Sequence, residues 1–271
     1  MIDFFAALLG SLITLGSPVG YALDQVAADN FRSRLYLVEQ LQVRVDNAPN
    51  YQVISGRIDR LRLASRGVWL TPEVRLEALE VETDPIDLDI SRLSGGLGTS
   101  SLTNSSSPQS LLPPGLFRTP LQAGISVVIT EADLQKALQT PRVQSLIQDI
   151  VGRFLGSEAV NRKITPQVRL LGSDRFQLQV EIASSTPENP TLKINLESGV
   201  KVLDGSRFQL VDPVLKINDN PFPSSVVTIV SSSLLDTFDL RKLESRGIVI
   251  RLLQLKIAPG QVRSAAFVSI N

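Results

Sequence analysis

The chain has 271 residues, 43% of them hydrophobic, 20% charged and 5% aromatic, with 27 basic residues against 27 acidic ones and neither histidine nor cysteine. Disulfides, thiolate nucleophiles, imidazole bases and the usual nitrogen and sulfur zinc sites are thereby excluded, because the groups that would form them are missing. Balanced charge, three Tyr and one Trp also argue against nucleic acid as a partner, which needs a net basic surface and stacking platforms.

Phe4 to Leu15 is an apolar run broken by Gly10 and Ser11, shorter than the ~20 residues a membrane span needs. Asp3 is the only charge ahead of it, so the basic start of a secretory signal is missing. Residues 1–20 read as an interfacial or docking segment, which packs on the protein, lies on a membrane or serves as an atypical secretory signal. From Tyr21, apolar Leu23, Val26, Ala27, Phe31, Leu35 and Val38 recur at spacings of three and four, which predicts an amphipathic helix. The period then becomes two. Leu41–Asp46, Ile58–Leu63, Val74–Ala78 and Ile86–Ile90 alternate apolar with polar and read as a meander of strands separated by Gly and Pro. Residues 94–110, rich in Ser and Gly, read as a flexible insertion, and Leu111 to Pro120 as an extended connector.

Ile125–Ile129 predicts a strand that passes into a helix over Glu131–Gln139, with Thr130 as N-cap and Asp133 at the capping-box position. Thr140-Pro141 opens a second helix whose stripe runs through Val143, Leu146, Ile147, Ile150, Val151, Phe154 and Leu155 to Gly156. Strands are expected at Val168–Leu170, Phe176–Ile182, Leu192–Glu197, Val200–Val202 and Phe208–Leu210. Such clean alternation belongs to antiparallel sheets with one apolar face. Leu171-Gly172-Ser173-Asp174-Arg175-Phe176-Gln177-Leu178 is echoed by Leu203-Asp204-Gly205-Ser206-Arg207-Phe208-Gln209-Leu210, which suggests two similar hairpins. Ser225 to Phe238 has helical spacing, and Ile248–Ile257 and Ala266–Ile270 read as closing strands. Residues 21–271 are thus expected to form one domain.

Eight arginines and four acids lie between Arg32 and Arg75, while Glu77 to Asp89 holds six acids and no base. Asp87 and Asp89 share a strand face. They could serve as a carboxylate pair, but Ile86, Leu88 and Ile90 on the other face make a solvated strand face the simpler reading. No Gly-x-Ser-x-Gly, phosphate-binding loop or dinucleotide fingerprint occurs. We therefore expect no catalytic residues, no metal and no cofactor.

Val43 to Pro49, Ile54 to Leu63, Leu79 to Ile86 with its Glu82-Thr83-Asp84-Pro85, Leu121-Gln122-Ala123, Thr130 to Leu134, Asp204 to Leu210 and Gly247 to Arg251 together resemble the LmeA-like phospholipid-binding family, a former domain of unknown function, and in particular its cyanobacterial members. The resemblance implies an α+β fold: an elongated, strongly curved antiparallel sheet, rolled or barrel-like, wrapped around long amphipathic helices as in tubular lipid-binding proteins. It also implies non-enzymatic binding, and possible transfer, of phospholipid or another acyl-chain lipid in an apolar cavity, in a peripheral-membrane or cell-envelope setting.

On this basis Phe176, Leu178, Val180, Ile182, Leu192, Ile194, Leu196, Phe208 and Leu210 are the candidate cavity lining, and Phe4, Phe5, Leu8, Leu9, Arg32 and Arg34 the candidate membrane contacts. The alternative is a membrane-associated structural or assembly factor that engages a protein partner without internal lipid.

Overall fold

The computed structural model of the chain describes residues 28–29, 32, 35–49, 52, 55–89, 117–155, 162–183, 191–223, 227 and 239–270, the side chains of 153–155 excepted. Alternation of aliphatic and polar residues turns most of these into strands. In chain order they are β1 (Leu37–Asp46), β2 (Arg57–Ile58), β3 (Arg60–Trp69), β4 (Arg75–Thr83), β5 (Ile86–Asp87) and β6 (Leu121–Thr130), followed by helices α1 (Glu131–Ala137) and α2 (Pro141–Leu155). Then come β7 (Ile164–Gly172), β8 (Arg175–Ile182), β9 (Leu192–Leu203), β10 (Arg207–Ile217), β11 (Asn220–Pro221), a 3-10 helix (Leu240–Arg246), β12 (Ile248–Ala258) and β13 (Gln261–Ile270).

All pairings are antiparallel. One sheet has the order β1-β3-β4-β6-β13-β12, a second β11-β10-β9-β8-β7, and β2 pairs with β5. Neither large sheet closes into a barrel among the described residues. The main core lies on one face of the six-stranded sheet, where Leu61 is 0% exposed and Leu63, Val81, Ala123 and Val268 pack with Ile58, Ile86 and Leu88.

Several element boundaries depart from the sequence reading for identifiable reasons. The first helix is described only at Ala28, Asp29 and Arg32, which are helical. Its expected end is strand instead, because Leu37 and Val38 pair with Trp69 and Val68. The helix expected at Ser225–Phe238 and the insertion at 94–110 lie outside the described residues, except that Val227 is helical. α1 stops at Ala137, where the bonds tighten to the i to i−3 kind, from the Gln139 N–H to the Lys136 carbonyl and from the Thr140 N–H to the Ala137 carbonyl. The two strands expected around Ser198-Gly199 are one, β9: Ser198 hides its hydroxyl in bonds to the Gly199 and Val211 carbonyls. β10 likewise runs on through Asp212-Pro213, where a bulge between Val211 and Val214 accommodates the proline. β7 accepts Pro166 because it is an edge strand.

The capping expectation holds at α1. Thr130 Oγ1 accepts from the Asp133 backbone N–H at 3.1 Å. Asp133 is buried and takes Arg75 Nη1 at 3.1 Å, and Arg75 also holds Glu77 at 2.7 Å and Glu39 at 3.2 Å. These bonds, the one to Glu77 foremost, push the Arg75 guanidinium further up from its ordinary value. α1 is thereby fastened to β4. Its other flank reaches the edge of the five-stranded sheet: the Leu170 N–H donates to Glu131 Oε2 at 2.6 Å, the Val168 N–H to Gln135 Oε1 at 2.9 Å, and Gln135 Nε2 donates to the Pro166 carbonyl at 2.9 Å. Helical spacing of four on α1 meets strand spacing of two on β7.

The repeated octapeptides are the two hairpin turns β7–β8 and β9–β10, and both dock on β12. The Ile257 N–H donates to Asp174 Oδ1 at 2.9 Å, and the Leu252 N–H donates to the Gly205 carbonyl at 2.6 Å. Gly205 has φ +67°, and a Cβ there would lie 3.1 Å from the Leu252 carbonyl oxygen. Gly205→Ala is therefore expected to destabilise the protein by about 1–3 kcal/mol, read as a lower denaturant midpoint with an unchanged slope.

Candidate lipid-binding site

The nine residues singled out as cavity lining all fall on one face of the five-stranded sheet. Cross-strand register sets Leu178 against Leu196, Val180 against Ile194 and Ile182 against Leu192, while Phe208 and Leu210 oppose Val202 and Val200 on the same side. Period two along each strand and in-register pairing between strands combine to gather them. Val180, Ile182 and Leu196 are buried, and Phe176, Leu178, Leu192, Ile194, Phe208 and Leu210 are half-buried.

Two apolar clusters share this face. One joins Ile164, Val180 and Ile182 to Ile147 and Val151 of α2, and the other joins Leu196, Leu215 and Leu210 to Val227. Leu178 and Ile194 belong to both. The stripe of α2 thus covers part of the sheet, and its contributors Ile147 and Val151 were absent from the candidate lining although their helical spacing was legible. A surface made of buried and half-buried apolar side chains can do one thing chemically: withdraw other apolar groups from water.

Of the candidate membrane contacts, Phe4, Phe5, Leu8, Leu9 and Arg34 lie outside the described residues. Arg32 is exposed and sits 3.8 Å from Asp29. Most other arginines of the basic stretch face the acids that precede or follow them. Arg60 meets Glu82 at 3.1 Å, Arg57 lies 3.8 Å from Asp87, and Arg44 and Arg62 both hold Asp46. Burial pushes the Asp46 carboxyl up, but the bonds from Arg62 and Arg44 outweigh it and hold the group below its ordinary value. A basic β3 beside an acidic β4 explains why the two charge blocks follow one another in the chain. Asp87 receives Arg118 Nη1 at 3.1 Å, and Asp89 lies 4.0 Å from the same guanidinium, so arginine stands where a second acid or a metal would be needed. In the Glu82-Thr83-Asp84-Pro85 segment it is buried Thr83 whose side chain bonds backbone, accepting from the Leu61 N–H at 3.0 Å.

A family model described as LmeA-like phospholipid-binding matches residues 16–267. The chain belongs to this family. Neither curated proteins nor solved structures give a match. No helix among the described residues is long and apolar enough to cross a membrane.

A groove of about 1040 Å³ lies elsewhere, on the six-stranded sheet, and runs across all its strands. Exposed Arg44, Ala64, Glu80, Glu82 and Gly124 line it together with half-buried Arg62. Leu41, Val43, Leu63, Val81, Ile125 and Ala266 of the main core cluster also line it, together with Ala28, Asp29 and Arg32. Its residues come from six strands and from the segment ahead of β1, and the signal in the sequence is the switch from basic to acidic alternation.

Proposed function

We propose that this protein binds phospholipid without chemical turnover, holding acyl chains against the apolar face of the five-stranded sheet beside α2, at or near a membrane. The observation that carries this reading is the set of buried and half-buried apolar residues gathered on one face by register, in a member of a phospholipid-binding family. Each buried methylene contributes ~0.8 kcal/mol, so a partly covered chain gains several kcal/mol. An elongated wrap of the sheets around the helices, and passage of lipid between membranes, belong to the same proposal. The aliphatic, aromatic-poor make-up of the face suits flexible chains better than a rigid ring system.

Organic extraction of purified protein followed by mass spectrometry, with uptake of fluorescent phospholipid from vesicles, tests it. Co-purified lipid and saturable uptake are expected. A lipid-free preparation that also takes up no label overturns the proposal and leaves the assembly-factor alternative, in which the protein engages a protein partner.

A further inference from the structure

The six-stranded sheet ends, where β1 begins and β3 turns into β4, in exposed apolar and aromatic side chains. Leu37 on β1 lies directly opposite Trp69 on β3 and shares its face, while Tyr36 and Leu70, the next residues outward, alternate to the other. Tyr36 is 64% exposed, Leu37 53% and Leu70 41%, and Trp69 is half-buried. The Tyr36 N–H donates to the Trp69 carbonyl at 3.0 Å and the Leu70 N–H to the Val74 carbonyl at 2.9 Å, so the backbone beneath these side chains is pinned. We propose that this tip seats in the interfacial layer of a zwitterionic phospholipid bilayer.

Shape, chemistry and charge each favour a bilayer over a protein partner. The side chains turn to both faces of the strand ends, so a flat protein surface covers one pair, whereas a fluid layer surrounds all four. Tyr and Trp have an apolar body and a polar tip, which suits the boundary between acyl chains and headgroups. Charge around the tip is nearly balanced. Arg75 is held by Glu39, Glu77 and Asp133, and Arg32 lies beside Asp29. Glu73 sits in the turn after Leu70, where Thr71 Oγ1 donates to it at 3.1 Å. Exposed Lys136 stands 5.5 Å from the centre of the Trp69 ring, and its long stem lets the ammonium reach phosphate while the ring sits lower. Glu73 keeps the turn at headgroup depth, so the seating is shallow. Without a basic excess, affinity comes from apolar burial and not from attraction to anionic lipid. These residues are separate from the apolar face of the five-stranded sheet, and the inference does not rest on lipid being held there.

Trp69 is the chain's only tryptophan, so its fluorescence reads the tip directly. Phosphatidylcholine vesicles added to the full chain should shift its emission to shorter wavelength, and chain-brominated phosphatidylcholine should quench it. The double variant Leu37→Ser, Leu70→Ser should lower co-sedimentation with vesicles about tenfold or more. Leu70→Ser alone should lower it severalfold, and because Leu70 lies outside the strands this variant stays informative where the double one fails to fold. Raising salt from about 0.1 to 1 M should change partition less than twofold. Leu178→Asp, aimed at lipid uptake, should leave both partition and quenching intact. Failure of folded wild-type protein to sediment with vesicles, binding without quenching, indifference to Leu70→Ser, release by salt, or loss of binding in Leu178→Asp overturns the proposal. A concentration-dependent dimer that Leu70→Ser abolishes, without vesicle binding, also overturns it and assigns the tip to a second copy of the chain.

Discussion

Replacing Arg75 by Met is expected to destabilise the protein by about 4 kcal/mol, with a fall in melting temperature of roughly 10 °C. Asp133 is 4% exposed and Arg75 16%, so the substitution strands a carboxylate away from both water and its cation. It also frees Glu39 and Glu77, but these are more exposed and can be solvated. Arg75 further lies 5.9 Å from the centre of the Trp69 ring, a contact that Met partly retains through its own polarisable side chain. The double variant Arg75→Met, Asp133→Asn should be less damaged than the two single losses predict when added, by about 1–3 kcal/mol. Simple additivity in thermal or denaturant unfolding would mean that the pair does not fasten α1 to β4.

Leu178→Asp is the substitution expected to act most strongly on lipid uptake, lowering it about tenfold or more, because an unpaired carboxylate on an apolar face must be desolvated whenever a chain covers it. Leu178 is shared by both apolar clusters of the five-stranded sheet, so the charge lies centrally. Gln177→Asp, one residue away, points to the opposite face, where Gln177 bonds Asn195 Oδ1 at 3.0 Å, and should leave uptake near wild type. Measured on protein whose circular dichroism is unchanged, equal loss in the two variants would move the lipid off this face.

Much of the local structure was legible because it rests on neighbours in the chain. Thr130 and Asp133 announce a cap, Pro141 opens a helix, and the alternation of Phe176 to Ile182 specifies which side chains share a face. The gathering of the nine apolar residues follows from that parity once the strands are paired in register. What was not legible depends on long-range pairing. Nothing in Gln261-Val262-Arg263 says that it lies along Thr130-Ile129-Val128 and so joins the two ends of the chain in one sheet. The expected strands stop at Glu197 and Leu210, although β9 runs on through Gly199 and a bulge between Val211 and Val214 lets β10 run past Pro213. The groove was hidden for the same reason: Arg44, Arg62, Glu80 and Gly124 become neighbours only through strand order.

The clamp of Glu131 and Gln135 on β7 bears on how the molecule can move. Peeling α1 from that strand would leave two amide hydrogens and a carbonyl without partners, a penalty in a water-poor crevice. It would also uncover a strand edge ready to pair with another chain. Breathing of the five-stranded sheet is therefore directed to its opposite margin, where β11 is only two residues long and both are exposed. The five-stranded sheet thus has one margin pinned by side chains of a helix and another finished by a strand of two exposed residues.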